Sequence, residues 1–182
     1  GKMGLHLCLL LKRAIEKVGQ ENQIYAASRF SSLHSAAEYE GSGIKTLAGD
    51  FREDAFVDSL PDCPTVLYLV GAKFGTANDP SILTPINVEL ANRLAKRFRQ
   101  SRIVAFSTGC VYSYALVNSG GSREESETKP IGEYALSCLE RERRFQAVSE
   151  KYGTSVVLIR LNYSVEFRYG VLVDIGQAVL QG

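Results

Sequence analysis

Thr65-Val66-Leu67-Tyr68-Leu69-Val70-Gly71-Ala72 is the stretch that decides how the rest of the chain is read. It is an apolar run without polar alternation, ending on a glycine, and such a run predicts a strand covered on both faces. Arg102 to Phe106 and Thr154 to Arg160 repeat the pattern, and Gln23–Ser28 and Ile44–Ala48 are shorter versions of it. Helix patterns lie between these runs. Leu5 to Val18 is closed by Gly19, Ser32 to Glu40 by Gly41 and Gly43, and Glu133 to Lys151 by Gly153. Glu53–Ser59 and Val171–Leu180 are shorter candidates. Pro85 suits a helical first turn, and the helix from Pro85 to Gln100 places Val88, Ala91, Leu94, Ala95 and Phe98 at a helical period. Polar loops, Gly71–Pro85 and Tyr114–Pro130, join the elements. Strands alternating with helices predict an α/β chain with a doubly wound parallel sheet, organised as one domain over residues 1–182.

Composition narrows the function classes. The chain is 45% hydrophobic and 23% charged, with a net charge of +1, so no global field draws it to nucleic acid or anionic lipid. The basic runs Lys96-Arg97 and Arg141–Arg144 alternate with other residues at helical spacing and read as solvated helix faces. No apolar stretch of about 20 residues exists to span a bilayer. Cys8, Cys63, Cys110 and Cys138 show no CxxC spacing, and His6 and His34 are isolated, so no metal site is expected. The scattered cysteines suit reduced thiols and a cytoplasmic protein.

In a parallel α/β sheet, phosphates bind where a glycine-rich turn enters a helix. Gly1 and Gly4 have the spacing of the last two glycines of such a turn, although GxxG alone equally fits an ordinary glycine at a chain start. About 20 residues further on, an acid would select NAD and an Arg would favour NADP. The strand there ends Ala27-Ser28-Arg29, so Ser28 and Arg29 are candidates for a 2′-phosphate, against a plain surface arginine. Asp50 either faces the adenine or N-caps a helix with Glu53 in a capping box.

Ser107-Thr108-Gly109-Cys110-Val111-Tyr112, then Tyr134, then Arg160-Leu161-Asn162-Tyr163 form an ordered set along the chain. The set resembles the extended short-chain dehydrogenase/reductase family, which includes nucleotide-sugar epimerases and dehydratases. The string Gly132-Glu133-Tyr134-Ala135-Leu136-Ser137-Cys138-Leu139-Glu140-Arg141-Glu142, with Lys73-Phe74-Gly75 and Arg168–Asp174, is similar to a branch described as NAD-dependent epimerase/dehydratase or NAD(P)-dependent oxidoreductase. The resemblance implies a Rossmann-like fold, an NAD(P) cofactor with NADP slightly preferred, and a nucleotide sugar or related polyol as substrate. It implies that Thr108 hydrogen-bonds the substrate oxygen, that Tyr134 is the acid/base, that Gly71 and Ala72 lie under the cofactor and that Asn87 serves the same site. Asn162 is implied as a substrate contact, though the Arg160/Asn162 spacing is one residue shorter than the family's. It also implies a homodimer through the helices Pro85–Gln100 and Glu133–Lys151, with Phe98, Leu139 and Phe145 as contacts.

One departure bears on the chemistry. A tyrosine ionises near ~10, and the family supplies a lysine one turn along the helix to favour the phenolate. Cys138 occupies that position here. Lys73, after the strand Thr65–Val70, is the candidate replacement, against a solvated loop lysine. Two readings stay open: an active enzyme, and a non-catalytic nucleotide-binding or interaction module of the same fold. The chain also reads as truncated at both ends, lacking the family's first strand and most of its substrate-binding region, and so as a fragment without independent function in a third reading.

Overall fold

The computed structural model describes residues 3–31, 35–73, 79–162 and 171–182. Two compact units are present, residues 1–56 with 163–182, and Val57–Asn162.

In the first unit, helix α1 (Gly4–Lys17) precedes strand β1 (Tyr25–Ser28), the short helix α2 (Ala36–Glu40) and strand β2 (Lys45–Ala48). β1 and β2 pair in parallel, with Tyr25 opposite Lys45 and Ser28 opposite Ala48. The parallel pairing needs the intervening helical crossover. Its core gathers Leu5, Tyr39 and Ile44, with Cys8, Leu9, Ile24, Ala26 and Phe30 packed around them. Helix α2 starts at a capping box in which the Glu38 carboxylate accepts from the Ser35 amide at 2.9 Å. Residues 32–34 of the expected helix lie outside the described residues. Helix α6 (Val171–Gln181) also belongs to this unit.

Helix α3 (Asp54–Ser59) carries the chain into the second unit. There β3 (Thr65–Tyr68), β4 (Arg102–Thr108) and β5 (Val156–Leu161) form a parallel sheet in the order β3-β4-β5. The register sets Tyr68 opposite Ala105, and Ser107 opposite Arg160. Between β3 and β4 the chain makes a 3₁₀ turn (Pro80–Ile82), a wide π turn (Thr84–Glu89) and helix α4 (Leu90–Arg97). Helix α5 (Glu133–Tyr152) connects β4 to β5 and is stopped by Gly153 at φ 70°, a conformation that suits glycine at a helix end. The α/β class with parallel strands is therefore as expected, its ladders divided between two sheets among the described residues.

α5 lies on one face of β4 and β5, and the Tyr68 and Phe145 rings meet edge-on at 5.0 Å. The expected dimer contacts require correction here. Phe98, Leu139 and Phe145 are all buried within the chain, Phe145 at 1% exposure. Helical phase explains it on α5: Leu139 packs at the turn of Val111 and Phe145 against Tyr68 of the sheet, whereas Leu136 sits on the outer face, 51% exposed. The reading of Arg141–Arg144 as a solvated face is corrected too, because Arg141 and Glu142 are buried at 6% and 1% while Arg143 and Arg144 are exposed.

Candidate active site

Three sequence-distant segments of the second unit meet around the first turns of α5. The loop after β3 is held by Asn87, whose side-chain oxygen accepts from the Ala72 amide at 2.8 Å and whose side-chain nitrogen donates to the Ala72 carbonyl at 3.0 Å. The same nitrogen donates to Ser137 Oγ at 2.9 Å, and that hydroxyl donates to the Tyr134 carbonyl at 2.8 Å. Asn87 is fully buried with its amide spent on these bonds, so it positions the loop and the helix rather than reaching a ligand. The π turn carrying it is the kind of helix irregularity found at functional sites. A Cβ at Gly71 would sit 2.7 Å from Arg141 Nη1 and 3.3 Å from Asn87 Oδ1, so a larger residue there would displace the end of the Arg141 side chain.

Thr108 ends β4 and caps the 3₁₀ turn Gly109–Val111, its Oγ1 accepting from the Cys110 amide at 3.2 Å. The Tyr134 ring packs against the cluster of Val111, Cys138 and Leu139, next to the turn that Thr108 caps, and the Thr108 hydroxyl favours the ionised phenol. Thr108 and Tyr134, separated by a long loop in sequence, are thus together at the carboxyl end of β4. Lys73 Nζ lies 5.4 Å from the centroid of the Tyr134 ring, within cation–π range. Burial pushes the Tyr134 phenol well above its ordinary value, and Cys138 adds to this, while Arg141 and the Thr108 hydroxyl pull the other way. The phenol therefore holds its proton at neutral pH. Cys138 is itself pushed up by burial, with Arg141 opposing.

Asn162 belongs to the same end of the sheet. A Cβ on Gly109 would collide with its side-chain amide, so the glycine allows this close approach. Behind it lies a group of residues that the motifs contained but did not connect. Arg160 donates to both Glu142 oxygens, through Nε at 3.1 and 3.2 Å and through Nη2 at 2.8 Å, and its Nη1 donates to the Tyr112 hydroxyl at 2.6 Å. Ser107 Oγ donates to the same carboxylate. Glu142 lies two helical turns beyond Tyr134 on one face of α5, a spacing that offered the only sequence signal for it.

The first unit holds the other sequence candidates. Gly4 opens α1, and a Cβ on it would lie 2.7 Å from Tyr39 Oη. Gly1 lies outside the described residues, as do Phe74, Gly75 and Arg168–Gly170. Ser28 Oγ accepts from the Phe30 amide at 3.2 Å in the turn after β1. Arg29 Nη1 stands 3.9 Å from Asp50 Oδ2. Asp50 does not form the expected capping box with Glu53. Its carboxylate instead accepts from the Arg52 amide at 2.9 Å and from the Arg52 guanidinium, Nη2 at 2.5 Å, because the chain turns back on itself at Phe51 and Arg52. These Arg52 bonds, with a smaller contribution from Arg29, hold the Asp50 carboxyl at about 2. Arg52 is the residue of this cluster that sequence reading missed.

The sequence matches the NAD dependent epimerase/dehydratase family over residues 1–164. No functionally curated protein matches the chain. Among solved structures it is similar to a double mutant of DesIV, a dTDP-glucose 4,6-dehydratase from Streptomyces venezuelae with NAD and DAU bound (20% identity, TM-score 0.78, covering 100% of this chain and 60% of that one). It is similar also to UDP-glucuronic acid 4-epimerase from Bacillus cereus in complex with NAD (17% identity, TM-score 0.69, 88% and 53%). A third is a short-chain dehydrogenase/reductase superfamily protein from Agrobacterium tumefaciens with bound NAD (18% identity, TM-score 0.66, 83% and 44%). The chain thus spans roughly half the length of these proteins. The family match covers most of the sequence and ends just beyond the site assembled by Gly71, Asn87, Thr108 and Tyr134, and the chain belongs to the NAD dependent epimerase/dehydratase family.

Proposed function

We propose that the whole protein is an NAD(P)-dependent epimerase/dehydratase or oxidoreductase acting on a nucleotide sugar or a related polyol. The observation that carries this reading is the placing of Tyr134 against the turn that Thr108 caps at the end of β4, with a loop of small residues, Gly71 and Ala72, braced to the same helix through Asn87. That loop fits a flat cofactor, since its backbone is exposed at Gly71 and fixed by Asn87. When bound, the nicotinamide would supply or accept the hydride. Tyr134, protonated at neutral pH, gives its phenolic proton to the substrate oxygen as an alcohol forms, or takes one in the reverse direction. Thr108 donates to the same oxygen and orients it. Lys73, over the ring, favours the negative charge that develops on the phenol. Asn162 is the substrate contact nearest Gly109.

In the other unit, Gly4 at the start of α1 would take phosphate, with Gly1 preceding it in sequence. Ser28, Arg29 and Asp50 would hold the adenosine end. Arg29 and Arg52 flank one carboxylate, which leaves a net positive cluster and favours NADP. Arg29→Ala should then weaken NADP binding about tenfold, the size of a lost charge-assisted contact, with NAD affinity nearly unchanged. Calorimetric titration of both cofactors measures this, and NAD bound more tightly than NADP by the unaltered protein would remove the preference. Lys73→Met should lower turnover about tenfold and raise the pH at which it appears, with cofactor affinity changed less. Equal pH–rate profiles would dismiss Lys73 from the site. A homodimer, if built on α5, would use the outer face at Leu136. The four free cysteines suit a cytoplasmic enzyme; no helix among the described residues is long and apolar enough to cross a membrane.

One observation favours the second reading, a nucleotide-binding module without catalysis: the phenol of Tyr134 is pushed up and position 138 bears a thiol. Cofactor binding with no hydride transfer to or from any nucleotide sugar would support that module and exclude the enzyme.

A further inference from the structure

Arg141 is a buried cation without a carboxylate. Its Nη1 donates to the Val70 carbonyl at 3.2 Å and its Nη2 to Cys138 Sγ at 3.4 Å, while Nε is buried with no partner. Among the described residues no ion pair involves it, although the adjacent Glu142 is fully engaged by Arg160 and Ser107. Burying an unpaired charge is costly, so a surplus positive charge in a core calls for an anion close by in some working state. Its neighbours narrow what that anion is. Cys138, on which the guanidinium rests, belongs to the cluster against which Tyr134 packs one turn earlier on α5. From the other elements, Thr108 and Cys110 face this pair from the end of β4, Lys73 from the loop after β3, and Tyr68 from β3 itself. Tyr134, half-buried, is the acid of this group that also lies under Lys73 of the exposed loop after β3.

We propose that Arg141 is a positioning residue that supplies the buried positive charge for Tyr134, reaching it through the thiol of Cys138. The inference deepens the proposed enzymatic reading and rests on it for its purpose. When Tyr134 gives up its proton to the substrate oxygen, the electron pair of the broken O–H bond stays on Oη. The Cys138 S–H then donates to that oxygen while its sulfur goes on accepting from Arg141, and the guanidinium polarises the thiol toward donation. The arrangement also accounts for a small side chain at 138. Cys138 is fully buried, and the guanidinium fills the space beside its sulfur. Burial pushes Tyr68, Tyr134 and Cys138 all up, and Arg141 opposes it at each by favouring the ionised form, as a shared counter-charge should. Lys73 acts from the exposed side of the ring, and Arg141 from the buried side.

The test needs neither substrate nor turnover. A difluorotyrosine placed at position 134 of the full-length protein brings the phenol's ionisation into a workable pH range, where fluorine NMR follows it. Arg141→Gln should raise its ionisation by about one pH unit or more, equivalent to a tenfold change, and Arg141→Lys should restore most of the difference. Cys138→Lys combined with Arg141→Gln puts an ammonium into the vacated space and should return the titration toward that of the unaltered protein. Should Arg141→Gln fail to fold, the double variants Cys138→Lys/Arg141→Gln and Cys138→Met/Arg141→Gln, similar in bulk and different in charge, pose the same question, with the lysine form ionising about one unit lower. A titration unmoved by Arg141→Gln in a folded protein, or equal in the two double variants, would overturn the proposal. Loss of the enzymatic reading would be seen separately, as an unaltered protein that binds cofactor without hydride transfer.

Discussion

Arg160→Ala should destabilise the protein by about 3–5 kcal/mol, the usual cost of breaking a buried ion pair by removing one partner. The cost arises on the other side of the pair. Glu142 is 1% exposed, and with Arg160 gone only Ser107 remains to bond its carboxylate. Arg160 also holds the Tyr112 hydroxyl at 2.6 Å and stacks on its ring at 4.9 Å, so the segment after the Thr108 turn loosens as well. Urea unfolding of the two proteins measures the difference. Adding Glu142→Gln to the Arg160 variant should recover a large part of it, because the stranded charge is then removed. A loss below about 1 kcal/mol, typical of an exposed ion pair, would show that the pair is solvated in solution.

Tyr134→Phe should abolish the hydride-coupled step, lowering its rate by about 10²–10⁴-fold, the range for loss of a positioned acid/base. Cofactor affinity should change by less than about threefold, since the ring and its contact with Lys73 remain. Folding should be nearly unaffected, because the phenol is pushed up by burial and the ring keeps its packing against Cys138 and Val111. Thr108→Val should act less strongly, removing a hydrogen bond to the reacting oxygen and the cap of the turn at Cys110 together. Rapid-mixing measurements on the full-length protein, with cofactor binding measured in parallel, separate the chemical loss from the binding terms. A Phe variant that retains full rate would assign the proton to another group.

Much of this architecture is legible in the residues. The runs at Thr65, Arg102 and Thr154 become β3, β4 and β5, and the long patterns from Leu5 and Glu133 become α1 and α5. The pairing of Thr108 with Tyr134 came from the family resemblance, since Tyr134 opens a helix and no spacing rule joins it to the end of β4. What failed was the direction of side chains on helices. Arg141 to Arg144 read as a solvated helix face, yet Arg141 and Glu142 turn inward because the face of α5 that carries Cys138 continues through them. The same ambiguity of phase assigned Leu139 and Phe145 to a partner when the turn at Val111 and Tyr68 of the sheet cover them, and Phe98 is buried within the chain as well. Asn87 was legible as belonging to the site, but not as a brace, since its bonds to Ala72 and Ser137 join segments distant in sequence. Asp50 was read through local spacing to Glu53, and the turn at Arg52 gave its carboxylate a better donor.

The central claim is that Thr108 and Tyr134 form a working proton-transfer site in a cofactor-dependent enzyme. The most direct measurement mixes the full-length protein, loaded with NADP or NAD, with UDP- and dTDP-linked hexoses and follows the nicotinamide absorbance through a single turnover. The account predicts reduction of the bound cofactor by at least one of these sugars, and its loss in Tyr134→Phe at unchanged cofactor occupancy. Full cofactor occupancy with no absorbance change for any sugar, or equal reduction in the Phe variant, would contradict it.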